Sequence, residues 1–316
     1  MTQSRTPPFL LLLIAPVALL AAVWWHRAGW APVGAGLALS HASADLEAPA
    51  KPDPMPLHRP GRSERSTVGH GLPVDRRAGF DGEQDLYRYA QRLSAAADAG
   101  DAEAGWMLSR VHDYCAAYAQ DPPGYAADSN ALAAQNMPGA STMFEARQRL
   151  QSRCAGFVPR DGLTAANILA RRVAAAKAGN LAAEAALLSL GQPLQTSAEY
   201  RRGLVQRVLV SRDPEAYLAV SGAMGVAASG DEAYRDYVVG DQYAQLAWQL
   251  AACRLGLACG PGSNLMTSYC ANGGICSTDA RQDFPSFVLD AAVPRQSADK
   301  MDEMVNTLVS GPGASS

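Results

Sequence analysis

From residue 81 onward the apolar positions recur with a helical period. Leu86, Ala90, Leu93 and Ala97 share one face of a predicted helix that Asp81 is placed to cap, and Met107, Val111, Tyr114 and Tyr118 share one face of the next. The pattern returns after Thr164, with Leu169, Val173 and Ala176 inward, then Leu181, Ala185 and Leu188. At each junction an alanine-rich run meets a glycine followed by Asp or Asn: Gly100-Asp101 in the first copy and Gly179-Asn180 in the second. Glycine accepts the left-handed conformation that ends a helix, and Asp or Asn accepts the orphan amide hydrogens that start another. The pattern therefore predicts two helical hairpins whose small alanines allow close approach.

Further helices are predicted over 125–136, from Thr142 to Cys154, from a Thr196-to-Glu199 capping box, and from Asp213-Pro214. A longer one is expected from Asp231, aligning Tyr237, Ala244, Trp248, Ala251 and Leu255 before Gly256 stops it. A last one is expected from Ser297 with Met301, Met304, Val305 and Leu308 inward. No segment reads as a strand. The fold class expected is all-α, built of helical-hairpin repeats in an α-solenoid-like array, with an irregular disulfide-rich C-terminal segment.

The alanine-rich run, Gly-Asp or Gly-Asn, Ala-Glu-Ala and the following Leu-Ser resemble the Sel-type, tetratricopeptide-like repeat over about 83–118 and 164–191. A degenerate third candidate lies at Ala247–Gly256. The two glycines stand about two such units apart, so a worn unit is expected over 120–160. The resemblance implies an α-solenoid whose concave face binds other proteins. The motif carries no catalytic residues, so none are assigned.

Ahead of the helical body, residues 9–27 are apolar from Phe9 to Trp25, with Pro16 the one interruption. Their length as a helix, about 25 Å, is near the lower limit for crossing a bilayer. The expected layout is a stub over 1–8, a transmembrane signal-anchor over 9–27, a proline-rich tether over 28–80, a helical domain over 81–310 and a disordered tail over 311–316. Cleavage near Ala42-Ser43-Ala44 is the competing reading, which would leave a secreted or periplasmic protein.

Cys115, Cys154, Cys253, Cys259, Cys270 and Cys276 all fall in the body. An even set behind an export-type segment points to disulfides in an oxidising compartment. Localisation is therefore expected at a bacterial inner membrane, single-pass, with the body in the periplasm. Cys115 and Cys154, set apart from the rest, are the best single bridge. The pairing of the other four is open, although Cys253 and Cys259 can meet only if Gly256 turns the chain. The gaps in that cluster are longer than the ligand pairs of structural zinc sites, so no metal is assigned.

The formal net charge of −3 gives no electrostatic case for nucleic acid. His112 is the one histidine in the body and is expected to lie on a solvated helix face. Glu103 and Glu184 occupy related places in the two hairpins and read as acids favoured by the helix dipole. No cofactor is expected. The function expected is a cell-envelope scaffold or adaptor for unknown envelope proteins, anchored in the inner membrane through 9–27. A cell-wall hydrolase using two convergent carboxylates is the alternative, and a structural or stress-related envelope protein a third.

Overall fold

The structure is a computed structural model and describes residues 76–135 and 137–310; the segments expected to be an anchor (9–27) and a tail (311–316), and most of the expected tether, lie outside the described residues. Thirteen α-helices and no strand occur among the described residues. They are α1 (Arg76–Gly82), α2 (Leu86–Asp98), α3 (Ala102–Gln120), α4 (Pro122–Ala133), α5 (Ala140–Cys154), α6 (Ala165–Lys177) and α7 (Leu181–Ser189). After these come α8 (Ala198–Ser211), α9 (Pro214–Met224), α10 (Gln242–Arg254), α11 (Asn264–Ala271), α12 (Phe284–Ala291) and α13 (Ala298–Ser310). No helix among the described residues is long and apolar enough to cross a membrane.

Local chemistry sets the helix ends. Apart from α5, every helix from α2 to α12 opens on an Asp, Asn, Ser or Thr whose side chain accepts from the first-turn backbone. The α2–α3 and α6–α7 hairpins close with the same geometry. Gly100 and Gly179 are left-handed, at φ +90° and +97°. The amides of Asp101 and Asn180 reach back to Ala96 and Ala175 oxygens at 3.0 Å each, and the side chains cap Ala104 and Ala183. Gly256 ends α10 in the same way, at φ +109°.

Helices that follow in the chain pack in a running order: α2 on α3, α3 on α6, α6 on α7, α7 on α9, α9 on α10 and α10 on α13. The pair α4–α5 fills 120–160, yet it does not separate the two hairpins, since α3 packs directly on α6. It stands to one side, with α5 against α3 and α11. Small residues set the closeness of α3 and α6: a Cβ on Gly105 would stand 3.4 Å from the Ala175 Cβ. Trp106, Trp248, Tyr217, Phe157 and Phe284 fill the core between these layers.

Several expectations are corrected. The tether does not run to residue 80, because Arg76–Gly82 form α1 and Phe80 is buried in the core. A helix of about two turns is too short to show the repeated period that would reveal it in sequence. Asp81 lies inside α1, and Asp85 caps α2 instead. Ser197, not Thr196, caps α8. Asp231 caps only a short 3-10 turn, Glu232–Tyr234. The long helix starts at Gln242 because Gly240 is left-handed (φ +103°) and Asp241 supplies a new cap. The buried positions of α6 are Ile168, Arg172, Ala175 and Ala176, so Leu169 and Val173 lie at the edge of the predicted face. The C-terminal segment is more regular than expected, with α11 and α12 set between and after its two bridges.

Candidate binding groove

The residues singled out in the sequence are brought into three places. Cys115 joins Cys154 (Cα–Cα 5.6 Å), fixing α3 to the end of α5. Cys253 joins Cys259 (5.7 Å), and Cys270 joins Cys276 (4.4 Å). All six cysteines are paired. The Cys253 bridge forms because the left-handed Gly256 reverses the chain between its ends. Each C-terminal bridge thus closes a tight loop within the chain rather than linking distant helices.

The two hairpin turns meet. Asn180 Nδ2 donates to Glu103 Oε2 at 2.8 Å, and the Arg77 guanidinium spans Glu103 (2.7 Å) and Asp213 (2.5 Å). Arg76 pairs with Asp101 at 2.5 Å. Hydrogen bonding from the Ala104 amide, with help from Arg76, holds the Asp101 carboxyl below its ordinary value. Glu103 and Glu184 are not equivalent: Glu103 stands two residues after its cap and Glu184 four after its own. Glu184 is buried and held by Tyr200 (2.5 Å) and Arg207 (2.5 Å) on α8. Glu215, also buried, accepts from the Trp106 indole at 3.3 Å and pairs with Arg110. Glu103 and Asp213 do converge, but around a shared guanidinium rather than across a gap that admits a sugar ring and water.

His112 is half-buried, where a solvated position was expected. It packs edge-on against Phe157, with ring centroids 5.9 Å apart. Burial, together with the charge of Arg171, depresses its imidazole to about 4.

Among the described residues, one feature shaped to receive another molecule is an open groove of about 460 Å³ where the end of α7 faces the segment after α9. The left-handed Gly191 (φ +69°) turns the chain away at Leu190, which is 49% exposed at the rim. Ser189 fixes α7 to α9: its hydroxyl donates to the Ala219 carbonyl (2.6 Å) and accepts from the Ala223 amide (3.0 Å). Ala223, Ala227 and Pro193 form apolar walls, and Val226, next to Ala227 in the chain, is 69% exposed. Arg201 enters from α8, pairs with Asp231 at 2.5 Å and lies over the Tyr234 ring at 5.5 Å. The backbone amide of Ala233, and then Arg201, hold the Asp231 carboxyl low, so the groove offers a fixed ion pair between apolar walls.

Sequence reasoning placed Leu188 on an inward face and read Asp231 as a helix start, but it missed Leu190, Arg201 and Tyr234 as a group. The one local signal was Leu-Ser-Leu-Gly at 188–191, a second glycine stop directly after the second hairpin. No family model, curated protein or solved structure matches this chain.

Proposed function

We propose that this chain is a helical-repeat scaffold of the bacterial cell envelope, held at the inner membrane by residues 9–27 with its body in the periplasm. It works by holding a protein partner rather than by turning over a substrate. The groove at the end of α7 carries this reading, because it is open, apolar at its rim and furnished with a fixed ion pair at its base. Leu190 at the groove rim and Val226, beside the lining residue Ala227, are exposed aliphatic side chains, and exposed apolar surface next to a groove is where a partner gains contact area. The matching turns at Gly100-Asp101 and Gly179-Asn180 support the Sel-type, tetratricopeptide-like reading of the two hairpins. The complete pairing of the cysteines supports the oxidising compartment.

The test is site-specific photo-crosslinking in intact cells, with a photoreactive residue in turn at Leu190, Val226 and, as a control, the exposed Leu289 on α12. A discrete adduct from the two groove positions and none from the control is the expected result. Equal labelling at all three, or none, removes the scaffold reading. Thiol alkylation of the same cells without reductant should leave the cysteines unmodified.

A further inference from the structure

A second cavity, of about 260 Å³, lies where α11 packs on α5 and leaves a cleft toward α3. Three positions of α3 that share one stretch of its surface line one side: Arg110, Asp113 and Tyr114. Asn264, Leu265, Ser268 and Asn272 line the other from α11 and its C-terminal cap, and Phe80 of α1 closes the end. We propose that this cleft binds a small zwitterion of the α-amino-acid type, its carboxylate on Arg110 and its ammonium on Asp113.

Both charged groups are half used. Arg110 pairs through one terminal nitrogen with buried Glu215 and makes no other hydrogen bond among the described residues. Its guanidinium lies over the rings of Phe80 (5.1 Å) and Trp106 (5.8 Å). Cation–π contacts of this kind use the ring faces and take up none of the guanidinium N–H groups, which stay available to a carboxylate. Asp113 accepts from Arg172 at 2.6 Å through Oδ2, and Oδ1 is unused among the described residues. Its side chain is 57% exposed, open to an incoming cation.

The charges also balance. Arg110 is offset by Glu215 and Asp113 by Arg172, so these four groups add no net charge at the cleft. A simple anion meets Asp113 and a simple cation meets Arg110; only a ligand carrying both charges satisfies both. Residues three apart on a helix have Cβ atoms about 5–6 Å apart. The ammonium nitrogen and carboxylate carbon of an amino acid are about 2.5 Å apart, a spacing that two such side chains can bracket with hydrogen bonds. The volume is below that of drug-sized pockets and suits a small metabolite.

Tyr114 also borders the cleft. It is 6% exposed, and its buried hydroxyl has no well-formed hydrogen bond, although Arg153 and Thr267 are near. Because that oxygen is sealed from solvent, a ligand in the cleft meets the rest of Tyr114 and not its hydroxyl. Phe80 and Leu265 give the apolar wall that the ligand's side chain needs. This inference does not rest on the groove at α7.

The experiment is calorimetric titration of the full-length protein with leucine, alanine and phenylalanine. Leucinamide, which lacks the carboxylate, 4-methylpentanoate, which lacks the ammonium, and sorbitol, an uncharged polyol, serve as comparisons. At least one amino acid should bind saturably, with the leucine analogues about 10-fold or more weaker than leucine itself if leucine is the one bound. Asp113→Asn should then bind leucine and 4-methylpentanoate alike. Because that change also frees Arg172, Leu265→Trp provides a second variant that fills the cleft, removing binding while the circular dichroism stays native. No saturable binding by any of the three amino acids overturns the proposal. So does equal binding of leucine and its analogues, or retention of binding in Leu265→Trp.

Discussion

The Asn180 side chain serves two hairpins at once, its oxygen capping the Ala183 amide at 2.8 Å and its nitrogen donating to Glu103 at 2.8 Å. Because Asn180 begins α7 and Glu103 lies in the first turn of α3, this contact locks the two turns together. Arg77 then ties the same carboxylate to Asp213 at the start of α9. Three helix starts are thereby assembled around one guanidinium and one carboxamide.

Asn180→Ala is expected to lower stability by about 1–2 kcal/mol, through loss of the cap and of the Glu103 contact. Asn180→Asp keeps a good cap but sets a second carboxylate against Glu103. It should therefore recover little of the loss. Urea denaturation without reductant measures both; an Asp variant as stable as the parent removes the cross-hairpin role.

The three bridges are expected to differ in weight. Cys115 and Cys154 are 39 residues apart, whereas each C-terminal pair is separated by 6. The loop-entropy argument gives about 4 kcal/mol for the long loop and about 2 kcal/mol for each short one. Paired serine substitutions followed by denaturation test the order. A short-loop double variant that loses more than the Cys115–Cys154 variant contradicts it.

His112 makes stability depend on pH in a defined window. Its folded value is near 4 against an ordinary 6.5, so between these the unfolded chain binds a proton that the folded chain refuses. Stability is therefore undiminished by this group above about pH 6.5 and falls as pH drops toward 4, by about 1–2 kcal/mol after allowance for partial exposure. Asp101 and Asp231, held below 3.8, act lower: their contributions persist above that value and fade beneath it. Replacing His112 with Gln should flatten the stability curve between pH 4 and 6.5 and leave the lower limb in place. An unchanged slope in that window rejects the assignment.

Gly105 of α3 faces Ala175 of α6 at close range. An added Cβ at 3.4 Å from Ala175 is just within ordinary contact, and alanine favours the helix by about 1 kcal/mol over glycine. Gly105→Ala should therefore be neutral or slightly stabilising. Gly105→Val adds methyl groups with nowhere to go and should lose about 2 kcal/mol. Thermal melts of the two variants make the comparison, and a tolerated valine shows that the helices are free to separate.

What the sequence determined by itself was local. Gly100-Asp101 and Gly179-Asn180 specify their turns because only neighbouring atoms are involved: a left-handed glycine, an oxygen capping an amide three residues on. The apolar period likewise placed Leu86, Ala90, Leu93, Met107, Val111, Tyr114 and Tyr118 on covered faces, because helical spacing fixes which side chains share a side. The tertiary structure decided everything that depends on distant segments coming together. Phe80 and Arg77 belong to the body only because Tyr114, Glu103 and Asp213 meet them there. The groove at Leu190 and Arg201 exists because α8 and the 231–234 turn return beside the end of α7. The cleft of Arg110 and Asp113 exists because α11, far along the chain, settles opposite α3. Periodicity reports which face of a helix is covered, but the identity of what covers it is set by packing across the whole chain.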